Sequence, residues 1–219
     1  MKNRDLFFLY LSIFFLMLFV FWTILICFVD VRAIGPNGST VGFSTLNEFF
    51  HSFTGTNMTL YHITDYLGLI PIFIMMCFAI FGLIELIKRK SLLKVDKSIF
   101  LLGGFYIVLF LCYLFFEYVV INYRPVLIDG FLEASYPSST TMLTICVMLS
   151  SLNELNSRIK KTRLRITINI ISYLFTFFMV IGRFISGVHW FSDIIGGIFI
   201  SLFLSLLFKF IHKKATQLS

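Results

Sequence analysis

Charge is what this sequence has least of. Only 13% of its 219 residues are Asp, Glu, Lys or Arg, against roughly 25% in soluble domains. With 58% hydrophobic residues, that scarcity excludes a water-soluble globular domain and leaves an integral membrane protein. Cysteine is also sparse. Cys27, Cys77, Cys112 and Cys146 all lie inside apolar runs and show no CxxC spacing. This excludes a disulfide framework or a zinc site and leaves four small buried hydrophobes. Internal repeats and low-complexity linkers are missing too, so residues 1–219 read as a single domain.

What is present is a series of long apolar runs. The 29 Phe residues suit a lipid-facing surface better than a compact aqueous core. The runs predict an all-α polytopic protein with six membrane helices, at about residues 6–29, 66–87, 99–121, 138–152, 166–181 and 191–211. The first is too long for a signal-peptide core of about 7–15 residues and is expected to be an uncleaved membrane helix. A span needs about 20 residues. The fourth run is shorter and rich in Ser and Thr, so it is expected to extend into residues 153–156 or to lie tilted, packed inside the bundle.

The net charge of +7 reads as a topology signal, with no nucleic acid as partner. Fifteen of the 18 Lys and Arg residues fall on one side of a six-span arrangement, beginning with Lys2 and Arg4. The positive-inside rule makes that side cytoplasmic, with both termini, in a multi-pass cell-membrane protein. Arg32, Arg124 and Arg183 remain for the outer side. The outer loop of residues 30–65 holds a turn signal at Gly35-Pro36-Asn37-Gly38 and an aromatic stretch, residues 49–53, expected at the membrane interface.

The outer side also gathers chemistry. His189 and Asp193 are four apart, which on a helix puts them on one face. An Asp that accepts the Nδ1 proton of a His leaves Nε2 free as a nucleophile or base. Arg183 is placed to hold an anion against that nitrogen, and Arg124 is a second clamp. Pro137 before Ser138 marks a helix start. The free backbone N–H groups there, with the helix dipole, make a phosphate cradle.

Three segments carry a family resemblance: Glu117-x6-Arg124-Pro125, Pro137-Ser138-Ser139-Thr140 and Gly182-Arg183-x5-His189-x3-Asp193. In spacing and order they resemble the K-x6-R-P, P-S-G-H and S-R-x5-H-x3-D motifs of the type 2 phosphatidic acid phosphatase (PAP2) superfamily, which shares its core with vanadium haloperoxidases. The resemblance covers about residues 64–212. It implies six helices in a haloperoxidase-like core, an outward-facing site, no metal and no cofactor. The implied substrate is a lipid phosphate ester or diphosphate drawn from the membrane. By family role His189 is the nucleophile that forms a phosphohistidine, and Asp193 is its partner. Arg124, Arg183 and Ser138 bind phosphate, with Ser139 and Thr140 beside them.

Two positions depart from the family pattern. Thr140 stands where the family has a histidine that protonates the leaving group, and a threonine hydroxyl is no useful acid near neutral pH. Glu117 replaces a phosphate-binding lysine. Three ways out are open. A lipid diphosphate expels a phosphate monoester, whose second pKa is about 6, and needs no acid; this favours polyprenyl diphosphate, undecaprenyl diphosphate in a bacterial envelope by resemblance. Alternatively Glu117, His51 or His62 supplies the proton. Or the protein binds lipid phosphate without rapid turnover. A phosphotransferase on the same scaffold, with a hydroxyl in place of water, shares all three motifs.

Other residues carry plainer expectations. His51 and His62 are interfacial, and His212 belongs to a basic tail. Trp190 and Tyr123 suit the aromatic belt. Glu85 pairs with Lys88 or Arg89, and Asp65 and Glu133 pair with outer-side arginines or are solvated.

Overall fold

The computed structural model describes residues 3–91 and 94–217, with side chains for 5–91 and 94–216. Lys2 and the side chain of Arg4 lie outside the described residues. The chain runs through α1 (Asn3–Phe28), α2 (Ser44–Thr54), α3 (Met58–Leu67), α4 (Leu69–Arg89), α5 (Lys97–Tyr118), α6 (Ser139–Arg158), α7 (Thr162–Ile185) and α8 (Phe191–Gln217). No strand forms among the described residues; backbone pairing outside helices is confined to isolated bridges.

Among the described residues, five stretches are long and apolar enough to cross a membrane: Asp5–Phe28, Met58–Arg89, Lys97–Tyr118, Thr162–Ile185 and Phe191–Thr216. The predicted fourth span, α6, is not one of them. Its 20 residues reach about 30 Å at 1.5 Å each, and it continues through residues 153–156 as one of the two expectations had it. Its composition is the difference. Thr141, Thr144, Ser150, Ser151 and Glu154 are all buried on it, so its polarity is spent inward. It packs on α8 and α7, and also on α4 and α5. Ser150 and Ser151 donate to main-chain carbonyls one turn back, at 3.2 and 3.0 Å, which satisfies them without water.

The other helices turn apolar residues outward. Phe177 and Leu174 on α7 and Ile107 and Phe110 on α5 are exposed, the pattern of a surface solvated by lipid tails. The core lies between α1, α5, α6 and α8, around Phe19, Leu102, Phe105, Met142, Ile200 and Phe208.

Helix direction alternates, so the chain brings two sets of ends together. One end holds the basic loops. There the fully buried Glu154 binds Arg158 Nε at 2.5 Å, His212 Nε2 at 2.9 Å and Ser98 Oγ at 2.8 Å. His212 is therefore a buried member of a cluster rather than part of a solvated tail. Glu85 reaches Arg89 at 3.5 Å, as expected, and the Asp96 N–H at 2.9 Å.

The opposite end holds the start of α6 and α8, the end of α7 and the loop after α5. Two glycines let these meet. At Gly196 an added Cβ would fall 2.3 Å from the Tyr136 ring, so only glycine lets the segment before α6 lie against α8. Gly187 has φ +63°, and a Cβ there would overlap the Gly55 carbonyl. The aromatic stretch is folded into α2. Phe50 stacks on Phe191 with centroids 4.0 Å apart, while Phe49 and Phe53 stay exposed. Asn47 accepts the Ser192 N–H at 3.0 Å and donates to Ser192 Oγ at 2.9 Å, so α2 is pinned to the first turn of α8.

Candidate active site

His189 lies just before α8, and Asp193 in its first turn. They do not share a helix face. Asp193 reaches back to the Trp190 N–H, Oδ2 at 2.9 Å, the reciprocal bond of a capping box. Its other oxygen accepts from Asn122 Nδ2 at 3.2 Å.

The predicted direct bond from Asp193 to the imidazole is replaced by a bridge through Ser135. Ser135 Oγ lies 2.9 Å from His189 Nδ1 and 2.5 Å from Asp193 Oδ2. The Ser135 carbonyl is 3.2 Å from the same Nδ1. Arg124 Nη1 is 3.1 Å from His189 Nε2. A guanidinium only donates, so Nε2 is the acceptor and Nδ1 carries the proton. Nδ1–H then donates to Ser135, and the Ser135 hydroxyl donates to Asp193. This is the tautomer a nucleophile at Nε2 requires. Burial first, then the charges of Arg124 and Arg183, hold the His189 imidazole well below the usual histidine range, so its ring is neutral.

Each arginine has a carboxylate partner. Arg124 Nε lies 3.0 Å from Glu133 Oε2, yet this N–H makes no hydrogen bond among the described residues; the contact is charge attraction, off the donor direction. The bridge Tyr123↔Ala134, with the Arg124 N–H donating to the Glu133 carbonyl at 3.1 Å, sets the two side by side. Arg183, in the last turn of α7, donates to Asp65 Oδ1 at 2.9 Å and Thr140 Oγ1 at 2.6 Å. Its guanidinium also stands over the Tyr61 ring, 4.8 Å from the centroid. Thr140 is thus an anchor for Arg183. Asp65 and Glu133 take the paired alternative of the two expected.

At the start of α6, the first bond inside the helix is Met142 N to the Ser138 carbonyl at 2.9 Å. The N–H groups of residues 139–141 precede it, as orphan donors of a helix start. Ser138 is held by its own N–H, which donates to the Asp193 carbonyl at 3.0 Å. Its buried hydroxyl has no hydrogen-bond partner among the described residues. A cavity of about 210 Å³ opens here, walled by Arg124, Glu133, Ser135, Ser139 and Glu117. An apolar groove of about 520 Å³ between α4, α5 and α6 shares Tyr113, Ser139 and Met142 with it, and has Asp65 and Thr140 at its polar end.

The remaining candidates are placed elsewhere. His51 Nε2 is 3.2 Å from the Gly187 carbonyl, its ring 5.5 Å from that of Trp190. His62 is exposed beside Tyr61. Trp190 is buried rather than belt-like; its Nε1–H donates to the Tyr123 carbonyl at 2.7 Å and so fixes the backbone beside Arg124. Ser135 and Asn122 are the site residues that the sequence reading missed. Ser135 sits two residues before Pro137, and that proximity was the one signal available.

The family model described as the PAP2 superfamily matches residues 69–217, a range that contains all three motifs but not Asp65. Among curated proteins, none matches the chain in sequence. Among solved structures, the chain resembles the first transmembrane PAP2 type phosphatidylglycerolphosphate phosphatase from Bacillus subtilis. The TM-score is 0.67 at 18% identity, over 94% of this chain and 97% of that one. At this identity the likeness is one of fold.

Proposed function

Because the chain belongs to the PAP2 superfamily, we propose that it is a membrane lipid phosphatase that works through a phosphohistidine at His189. The observation that carries this reading is the imidazole itself. It is neutral, anchored at Nδ1 through Ser135 and Asp193, and presents Nε2 to Arg124 at 3.1 Å. In the reaction, a phosphoryl oxygen takes over the Arg124 donor and frees the Nε2 lone pair for phosphorus. The P–Nε2 bond forms as the bond from that phosphorus to the leaving oxygen breaks, which in a diphosphate is the bridging oxygen that departs on the lipid monophosphate. The imidazolium that results keeps its Nδ1 proton on Ser135, whose hydroxyl faces the Asp193 carboxylate. Arg124 and Arg183 stabilise the charge of the in-line transfer, with Ser138, Ser139 and Thr140 at the helix start. Water then cleaves P–Nε2.

A polyprenyl diphosphate, such as undecaprenyl diphosphate, is the favoured substrate. Thr140 donates no acid, and its hydroxyl accepts from Arg183, so a leaving group that departs unprotonated suits this site. The apolar groove beside Thr140 suits the lipid chain. The membrane reading has six spans, α6 among them, with both termini cytoplasmic and the site outside. It rests on the basic loops gathering at the end opposite His189.

The test is phosphate release by purified protein from three substrates: polyprenyl diphosphate, phosphatidylglycerolphosphate and phosphatidic acid. His189→Ala serves as the control. Release from the diphosphate is expected to exceed that from either monoester by about two orders of magnitude, the lower range of acid catalysis. No release from any of them, with lipid binding intact, contradicts the reading. Equal rates on all three contradict the substrate preference. Release only with an added hydroxyl acceptor makes it a transferase.

A further inference from the structure

Hydrolysis of a phosphohistidine needs a group that takes the proton of the attacking water, and Thr140 cannot be that group. Its hydroxyl has no basicity at neutral pH and is committed to Arg183 at 2.6 Å. The histidines are placed away from the task, His51 on the Gly187 carbonyl and His62 exposed beside Tyr61. Asp193 is fully buried behind the imidazole, on the Nδ1 side. Three carboxylates remain near the phosphate clamp: Asp65, Glu117 and Glu133.

Glu133 is the one tied to the nucleophile. Its Oε2 lies 3.0 Å from Arg124 Nε, and the same guanidinium places Nη1 3.1 Å from His189 Nε2. A single planar group therefore spans the distance between carboxylate and nucleophilic nitrogen. The placement is built into the backbone. Residues 123 and 134 form an antiparallel bridge, and the Arg124 N–H donates to the Glu133 carbonyl. The Glu133 side chain is 40% exposed and forms part of the wall of the 210 Å³ cavity with Ser135 and Ser139, so water reaches it. Asp65 is held instead by Arg183. Glu117 borders the cavity from the last turn of α5, and no ion pair of it is found among the described residues.

We infer that Glu133 is the general base of the second half-reaction, a conclusion that rests on the phosphohistidine reading above. Water in the cavity attacks phosphorus opposite Nε2. The new O–P bond forms as P–Nε2 breaks, and that electron pair returns to the imidazole. The water proton passes to the Glu133 carboxylate, which releases it through the open cavity. Inorganic phosphate leaves, and Arg124 regains its contact with Nε2. The first half-reaction needs no proton from Glu133, because a diphosphate expels its monoester unprotonated. The pairing with Arg124 keeps the carboxylate aimed at the clamp in both halves.

The test separates the two halves by rapid quench with polyprenyl diphosphate labelled in its terminal phosphate. In Glu133→Gln, enzyme phosphorylation is expected within about tenfold of wild type, while phosphate release slows by about a hundredfold or more. The phosphoenzyme then accumulates and a burst precedes a slow steady state. Glu133→Asp is expected to recover part of the release rate. Loss of Arg124 positioning alone would instead slow phosphorylation and raise KM with no accumulation, and that result overturns the inference. So does accumulation in Glu117→Gln or Asp65→Asn but not in Glu133→Gln. Either of these leaves the proposed function standing, because the wild type still turns over. A wild type that binds lipid and releases no phosphate overturns both.

Discussion

With Ser135 Oγ between His189 Nδ1 and Asp193 Oδ2, the orienting proton passes through a hydroxyl before it meets the carboxylate. Ser135→Ala removes that link but keeps the main-chain carbonyl at 3.2 Å, so the tautomer survives while the charge-assisted path is lost. A hydrogen bond to a charged group is worth roughly 1.5–3 kcal/mol. kcat is therefore expected to fall about ten- to hundredfold with little change in KM, and Ser135→Thr is expected to restore most of it. An unchanged kcat in the Ala variant contradicts the relay. The depressed His189 pKa sets the pH behaviour. The folded state holds the ring neutral, so its contribution to stability is present above about 6.5, the unfolded value. It is lost only as pH falls through the lower folded value. For the same reason, the acidic limb of kcat/KM due to His189 is expected well below pH ~6.5. A limb at or above that pH contradicts the geometry. Thr140→His offers the missing acid but removes the Arg183 anchor. Monoester release is expected to gain on diphosphate release in ratio, even if both rates drop.

Among the elements, α6 carries the most strain between composition and position. Its Ser, Thr and Glu residues are tolerated because other helices surround it, a fact of packing that hydropathy along the chain does not encode. The start at Pro137-Ser138 and the packing inside the bundle were legible from the proline and the small polar residues, whereas the run to Arg158, past residues 153–156, was not. The apolar spans were legible because lipid-facing residues repeat without interruption. Arg124, Arg183, His189 and Asp193 were legible because charge is costly there and their spacing is regular. Ser135 and Asn122 were not, since a lone Ser or Asn in a loop has no period to betray it. Their roles exist only once the loop after α5 folds onto α8. That fold depends on Gly196. Gly196→Ala forces a Cβ into the Tyr136 ring. Overpacking of this kind costs about 1–3 kcal/mol. A lowered thermal midpoint in detergent together with reduced turnover is expected. A neutral effect contradicts the close approach of the segment before α6 to α8.

The two ends of the helix bundle differ in kind. One gathers the basic loops around a buried Glu154 cluster. The other gathers His189, Asp193, Arg124 and Arg183, with α2 pinned to the first turn of α8. A fluorescent protein fused after Ser219 is expected to fluoresce, since the positive-inside rule puts that end in the cytoplasm; a dark fusion that is labelled from outside contradicts the orientation. On the proposed reading, His189 carries the phosphoryl group between the lipid and water. That reading is tested most directly by quenching the enzyme during turnover of labelled polyprenyl diphosphate and mapping the attached label. An acid-labile, base-stable phosphoryl group is expected on His189 and is expected to be absent from His189→Ala, which also loses turnover. Label on another residue, or undiminished turnover in His189→Ala, would contradict it.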